Sequence, residues 1–301
     1  IHVLMACGGS TNLLIHLKAI ARRAGIPLDL MEFDRISNET PLLVNVKPHG
    51  QYPVGEFGRA GGVRAVMKEL APLLHGDCMT VSGKTVAENL ASAEAAFNRD
   101  VIRPFDDPIL PYGGISVLRG NLAPGGAVVK RSAASAHLLR HRGPARVFDD
   151  LAEAEKYLLD ENSDMTWDTV IVLRGYGPKG APGMPEFGNY LPIPKKLYRQ
   201  GVKDFVRITD SRMSGGAFGT VILHCAPESA AGGPLAAVRD GDMIEIDVDK
   251  NLLRLDVSDE ELAARLKTVV PKEHPDITRG FVRNFIDNVL QADEGCDMRY
   301  M

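Results

Sequence analysis

The residues of this chain best equipped for chemistry stand in one run, Thr209-Asp210-Ser211-Arg212-Met213-Ser214-Gly215-Gly216. Val202, Phe205, Val206 and Ile208 just before it read as the apolar content of a short strand. A strand that runs into Ser-Gly-Gly makes a sharp turn on which backbone N–H groups can converge at one spot. A serine displayed on such a turn can have its hydroxyl acidified and serve as a base or nucleophile. The same residues suit an ST-type turn whose serine only bonds its own backbone. A second candidate is Gly8-Gly9-Ser10-Thr11-Asn12, where Ser10 and Thr11 offer N-cap oxygens and a helix start offers free N–H groups to an anion such as a carboxylate. Plain capping explains that run equally well. His49 lies in a loop, where an exposed bystander is the expectation and a catalytic role the alternative.

Elements to position these groups follow from pattern. Leu13, Leu17, Ile20, Ala21 and Ala24 predict a helix that Gly25 stops and Pro27 keeps from resuming. Pro41–Val46 predicts a short strand or extended segment, and Lys47–Gly58, rich in Gly and Pro, a loop. Gly61-Gly62 opens a helix with Val63, Val66, Met67 and Leu70 on one face, and Pro72 ends or kinks it. Lys84–Asn98, starting near Ser82, reads as an alanine-rich amphipathic helix. Arg103–Pro108 is the best domain boundary, and beyond it the chain becomes mainly β. Short strands are expected at 115–118, 126–130 and 145–148, and a fully buried one at Thr169–Leu173. Asp149 and Asp150 cap a helix through Leu158. Ile244, Ile246 and Val248 alternate with acids, then Leu253, Leu255 and Val257 alternate after a Lys250-Asn251 turn, which predicts a hairpin with one wet face. Ser258 and Glu261 suit a capping box, and a last helix carries Phe281, Phe285, Ile286 and Val289. About six strands with flanking helices suit a closed or nearly closed β-barrel, an α/β (α+β) architecture overall.

Composition bounds the function classes. The 301 residues are 45% hydrophobic and 25% charged, as in a soluble globular protein of one large or two ordinary domains. A net charge of −4 with spread-out Lys and Arg gives no footprint for nucleic acid. No apolar run approaches the ~20 residues of a membrane span. The four cysteines, Cys7, Cys78, Cys225 and Cys296, are far apart, neither a disulfide framework nor a metal knuckle, which suits a reducing, cytoplasmic compartment. Cys7 beside Gly8-Gly9 leaves a cluster-ligand role as the sharp alternative to an incidental thiol.

The run ending in Ser214-Gly215-Gly216 closely resembles the C-terminal signature of the dihydroxy-acid and sugar-acid dehydratase family. Further segments match in order: Met5–Asn12, Arg59–Val63, Leu118–Pro124, Gly177–Glu186 and Ala226–Pro234. The family's N-terminal Cys-Asp-Lys signature does not occur, so the chain resembles the C-terminal half to two-thirds of such an enzyme. The resemblance implies that residues 1–104 end an N-terminal α/β metal-cluster domain and that 105–301 form a swivelling β-barrel-like domain. It implies an iron–sulfur cluster held by cysteines upstream of this chain, Mg2+ held partly by Glu186, and Ser214 as an alkoxide base. Ser10, Thr11, Lys179, Arg212, Gly215 and Gly216 would then face substrate, although Lys179 could be merely solvated and Arg212 could bridge to Asp210. The implied activity is that of a hydro-lyase converting an aldonate such as arabinonate or xylonate to a 2-keto-3-deoxy acid, as a homodimer or homotetramer. The alternatives are the dihydroxy-acid dehydratase of branched-chain amino-acid synthesis and a non-catalytic truncated module. Ser211, where the family usually has Gly or Ala, and the tail 289–297 resemble the sugar-acid branch, whereas Ala217 lacks a hydroxyl that the family usually carries nearby.

Overall fold

The computed structural model describes residues 1–186, 191–214 and 217–301. The chain packs as two units, one of residues 1–10 and 31–115, the other of residues 11–30 and 116–301. Against a division at 104/105, residues 11–30 pack with the later unit and residues 105–115 with the earlier one.

Helices among the described residues are α1 (His2–Ala6), α2 (Asn12–Arg23), α3 (Leu30–Glu39), α4 (Val54–Arg59), α5 (Gly62–Glu69), α6 (Val86–Ala91), α7 (Leu151–Leu159), α8 (Lys195–Arg199), α9 (Asp259–Leu266) and α10 (Gly280–Asn288). In the first unit α5 packs Ala65, Val66 and the following Leu70 into a core with Leu43, Val44, Val101 and Ile102. Val63, assigned to that face by periodicity, is half exposed. The 41–46 segment is extended, but among the described residues it pairs through isolated bridges, Leu42 with Leu110, Val44 with Ile102 and Val46 with Tyr52. α6 is shorter than 84–98. Thr85 and Glu88 form a capping box at its start, and after Ser92 the chain leaves the helix so that Phe97 N–H bonds Ala60 O at 3.0 Å. Its alanines bury too little apolar surface to hold a longer helix down. His49 is tied by its ring to Val44 O at 2.8 Å and packs against Gly8, where a Cβ would lie 2.6 Å from the ring. It serves the packing of this unit.

The second unit is a closed barrel of eight strands among the described residues. They are β1 (Ser116–Gly120), β2 (Ala123–Val129), β3 (Arg140–Phe148), β4 (Val170–Leu173), β5 (Arg207–Thr209), β6 (Val221–Ala226), β7 (Met243–Asp247) and β8 (Leu252–Leu255). Their order around the barrel is β1-β2-β6-β5-β4-β3-β7-β8. The central four, β3, β4, β5 and β6, run parallel, and the remaining pairs are antiparallel except for the single parallel pair Arg119–Leu252 that closes β1 on β8. β4 is buried on both faces, as its continuous apolar run predicts. Val170 and Val172 enter the barrel core, and Ile171 and Leu173 enter a second core with α7 and Phe205. The β7–β8 hairpin alternates as expected, with Asn251 left-handed at its turn (φ 54°). Asp150 caps α7 through Ala152 and Glu153 N–H, and Ser258 caps α9 through Glu261 N–H.

α2 forms over the expected span, and Gly25 ends it at φ 72°. Its buried face differs from the expected one: Leu14 and Ile15 point inward, whereas Leu13 and Ile20 are exposed. The reason is a partner distant in sequence. The tail crosses α2 at Gly295, where a Cβ would sit 2.7 Å from Ala19 N and 3.0 Å from Ile15 O, and Ile15 packs with Met184 and Ala292. Thr11 precedes the helix with helical backbone angles and makes no side-chain cap.

Candidate active site

The barrel's parallel strands end on the same side of the sheet, and three consecutive ends carry the candidate residues. β4 leads into the 174–186 loop, β5 into Asp210–Ser214, and β6 into Pro227-Glu228-Ser229. Such carboxyl ends are where α/β sheets bind ligands.

Two buried carboxylates fix the loop that bears Glu186. Asp210, fully buried, accepts hydrogen bonds from Gly175 N–H (3.1 Å), Tyr176 N–H (2.9 Å), Ser229 N–H (2.9 Å) and Ser229 Oγ–H (2.5 Å). Glu228, also buried, accepts from Lys179 N–H (2.9 Å), Gly180 N–H (2.9 Å) and Gln291 Nε2 (2.9 Å), while its own N–H donates to Gln291 Oε1 at 2.7 Å. Burial raises the Glu228 carboxyl above its ordinary range against the pull of those donors. The glycines permit the approach: a Cβ on Gly177 would meet Glu228 Oε2 at 2.5 Å, and one on Gly180 would meet Gly175 O at 2.5 Å. His274 and Lys272 hold the loop from its other side by bonding Lys179 O (2.8 Å) and Gly175 O (3.1 Å).

The loop's far end is laid beside the signature turn. Glu186 and Arg212 form a parallel bridge, Ser211 Oγ donates to Pro185 O at 3.0 Å, and Arg212 Nε donates to Met184 O at 2.5 Å. Met184 adopts a left-handed backbone, φ 49°, to make the bend. Asn12, in the first turn of α2, donates from Nδ2 to Glu186 Oε1 at 2.5 Å and to Met213 O at 3.4 Å. One amide therefore ties the candidate metal ligand to the backbone next to Ser214. The turn's later end is held by Asp204, which accepts from Thr220 N–H (2.8 Å) and Thr220 Oγ1–H (2.7 Å) and pairs with buried Arg207. Gly219, φ 103°, leaves room for that cluster; a Cβ there would lie 2.2 Å from Arg207 Nη2.

The structure thus brings Glu186, Arg212 and Ser214 together and adds Asn12, which the sequence suggested only as part of a helix start. It does not pair Arg212 with Asp210, because Asp210 is saturated by backbone N–H groups. Lys179 is fixed through its backbone, and its ammonium bears on Asp287 of α10. Thr11 is buried at the start of α2, and Ser10 belongs to the first packing unit. Gly215 and Gly216 lie outside the described residues.

One residue of the site had no expected role. β6 was not anticipated as a strand, and its His224 is 2% exposed with a left-handed backbone, φ 56°. Neither ring nitrogen has a hydrogen-bond partner among the described residues. Burial, reinforced by the charges of Arg212 and His16, pushes the imidazole down to about 3, so the ring is neutral.

Metal fit divides in two. The exposed Glu186 carboxylate is a hard oxygen donor suited to Mg2+, which accepts one or two carboxylates and keeps waters. The described residues do not fit an iron–sulfur cluster: they contain no group of three His, Cys, Asp or Glu side chains that could hold a metal. Burial raises the Cys7 and Cys296 thiols to about 12 and raises the Cys225 thiol likewise, away from the thiolate form. Among the described residues no helix is long and apolar enough to cross a membrane.

A half-buried serine, an arginine and an exposed carboxylate thus stand on adjoining strand-end loops of the barrel. The chain belongs to the dihydroxy-acid/6-phosphogluconate dehydratase family, whose C-terminal model matches residues 100–296 and whose N-terminal model matches residues 1–89. It is 51% identical over 304 residues to an L-arabonate dehydratase of Azospirillum brasilense, covering 98% of this chain and 52% of that protein. It is 49% identical over 298 residues to an L-arabinonate dehydratase of Rhizobium leguminosarum bv. trifolii, covering 98% of this chain and 51% of that protein. Identity to a dihydroxy-acid dehydratase of Ignicoccus hospitalis is 45% over 299 residues, 98% of this chain and 53% of that protein. The chain spans about half the length of these relatives.

Proposed function

We propose that this chain is the C-terminal portion of a hydro-lyase that dehydrates a sugar acid, an aldonate such as arabinonate or xylonate, to a 2-keto-3-deoxy acid. The observation that carries the reading is the joint anchoring of Glu186 and the Ser214 turn through Asn12 and the Arg212 bridge. The aldonate preference rests on the two arabinonate-type relatives, which are more similar to this chain than the dihydroxy-acid dehydratase.

The chemistry removes water across carbons 2 and 3. Ser214 Oγ, as alkoxide, takes the carbon-2 proton; the carbon–oxygen bond at carbon 3 breaks with its electron pair on oxygen; the resulting enol becomes the 2-oxo acid. Arg212 offers positive charge to the substrate carboxylate, where enediolate charge develops. Glu186 would be one ligand of Mg2+, and the resemblance implies an iron–sulfur cluster held by cysteines upstream of this chain. When bound, such Lewis acids supply the pull on the leaving hydroxyl and lower the acidity barrier at carbon 2. Asn12, Ser211 and Arg212 fix the segment that carries the serine through their bonds to Met213 O, Pro185 O and Met184 O.

A 2-oxo-acid assay of the complete enzyme tests the reading, with arabinonate, xylonate and a branched-chain 2,3-dihydroxy acid as parallel substrates. A higher kcat/KM on the aldonates is expected. Preference for the branched acid would move the protein to the amino-acid branch, and inactivity on all of them would leave a non-catalytic module. Assembly as a homodimer or homotetramer, the state implied by the resemblance, is checked by light scattering on the same preparation.

A further inference from the structure

The tail 289–297 takes no part in the chemistry above, yet its backbone is closely specified. Leu290 N–H bonds Asp297 O at 2.9 Å, and Gln291 O accepts from both Glu294 N–H and Cys296 N–H at 3.0 Å, which closes the tail into a compact turn. Two successive residues, Gly295 at φ 91° and Cys296 at φ 49°, take the left-handed backbone, which a cysteine seldom adopts. The turn reaches every part that holds Glu186. Gln291 meets Glu228 with both halves of its amide: Oε1 accepts Glu228 N–H at 2.7 Å, and Nε2 donates to Glu228 Oε1 at 2.9 Å. Glu228 in turn holds the N–H groups of Lys179 and Gly180, midway along the loop that ends at Glu186. Nearer that end, Cys296 Sγ lies 3.7 Å from Met184 Sδ, and Ala292 packs with Met184 and Ile15. Gly295 lies against Ile15 and Ala19, and Asp297 pairs with Arg22 and Arg23, so the same turn fixes α2, whose Asn12 bonds Glu186 Oε1.

Given the dehydratase reading, on which this rests, we propose that Gln291 is a positioning residue: it clamps Glu228 to the tail so that the 174–186 loop presents the Glu186 carboxylate to Mg2+. The clamp needs an amide because of where Glu228 stands. That carboxylate is buried, accepts from neutral donors and forms no ion pair among the described residues. A carboxylate in such a place depends on each of its hydrogen bonds to stay charged. Burial pushes Glu228 toward the protonated form, and Gln291 Nε2 opposes that push. Once protonated, the carboxyl turns an O–H toward backbone N–H groups that need an acceptor, and the loop loses its hold. The titratable groups that face Glu228 give no other help. Asp210 at the end of β5 disfavours its charge, the Cys296 thiol of the tail is kept protonated by burial, and the Lys179 ammonium bears on Asp287.

The test compares Gln291→Leu and Gln291→Glu with wild type in the complete enzyme. Gln291→Leu keeps the bulk and removes both polar atoms. The Mg2+ concentration for half activity should rise on the order of tenfold to a hundredfold, the usual loss when a group that orients a metal ligand is removed, and saturating Mg2+ should restore much of kcat. Amide exchange should quicken across residues 176–186 while β4, β7 and β8 keep wild-type protection. Gln291→Glu sets a second carboxylate against Glu228. Relative to wild type at the same pH, it should be worse than Gln291→Leu at ~pH 8 and recover toward ~pH 6, where the two carboxyls share one proton and a donor–acceptor pair is rebuilt. A side chain kept only for packing would give neither that recovery nor a defect confined to one loop. If Gln291→Leu does not fold, Gln291→Glu decides alone, because its pH dependence is read within one protein. An unshifted Mg2+ titration in Gln291→Leu, exchange quickened equally across the barrel, or a Gln291→Glu defect that ignores pH would overturn the assignment while leaving the dehydratase reading intact. A wild-type enzyme inactive on every sugar acid and dihydroxy acid would instead overturn the reading itself, and the assignment with it.

Discussion

Ser214 and Glu186 reach one site by different anchors, and their substitutions should separate. Ser214→Ala in the complete enzyme should abolish turnover, by more than the ~10²–10⁴-fold of a positioned acid or base, and stop exchange of the carbon-2 proton with solvent. Its fold and metal content should be unchanged. Exchange at the wild-type rate would remove Ser214 from the role of base. Glu186→Gln should raise the Mg2+ concentration needed for half activity, with excess Mg2+ restoring part of the rate, as measured by metal titration; an unshifted titration would mean that Glu186 binds no metal. At this scale contiguous motifs supplied the candidates Ser214, Arg212 and Glu186, each named from its own run. The sequence did not disclose Asn12, whose role exists only because 174 residues later in the chain Glu186 is folded against it. Nor did it disclose Glu228 and Gln291, which meet across 63 residues, or His224, whose orientation depends on a register shift.

Elements were legible where one strand or helix determines its own pattern. β4 and the β7–β8 hairpin announced themselves through a continuous apolar run and strict alternation. β6 did not, because Val221-Ile222-Leu223 is too short to separate from a buried helix turn and the bulge breaks its period. α2 was found but misoriented, since its buried face is chosen by the tail that crosses it. The closing seam and that tail give two tests. Gly120 stands where a Cβ would lie 1.9 Å from Leu253 O, so Gly120→Ala must push β1 off β8 and should cost ~1–3 kcal/mol in chemical denaturation; an unchanged midpoint would show that the seam is not tight. Asp297, buried beneath Arg22 and Arg23, is held below its ordinary 3.8, chiefly by its hydrogen bond from Arg23. A lowered carboxylate pKa contributes stability above the unfolded value and loses it as pH falls through the folded one. Asp297→Asn should therefore lower the urea midpoint at pH 7 and converge on wild type below pH 3.8; a gap that persists in acid would point to lost packing instead.

At the scale of the whole molecule the two units should differ in how well they hold together. The barrel joins its strands by ladders, with the single pair Arg119–Leu252 at the β1–β8 seam, while the first unit joins its extended segments by isolated bridges and leaves Val54, Met79 and Phe97 at least two-thirds exposed. Amide exchange across residues 1–10 and 31–100 of this chain expressed alone should therefore be faster than across β4 to β8, and equal protection would refute the contrast. The same isolation decides the chemistry. Glu186 is a single carboxylate with an amide neighbour, and one carboxylate does not retain Mg2+ against water. The thiols of Cys7, Cys225 and Cys296 are buried and held in the protonated form, which does not ligate iron. On the proposed reaction, departure of the carbon-3 hydroxyl without a Lewis acid has no assistance from the described side chains of the site. The chain alone should thus purify without stoichiometric iron and sulfide and form no 2-oxo acid from any aldonate. Restoring the remaining half that its relatives possess should bring back both properties together. Turnover by the isolated chain would show that residues 1–301 already contain the whole active site, and would relocate the metal ligands to side chains described above as structural.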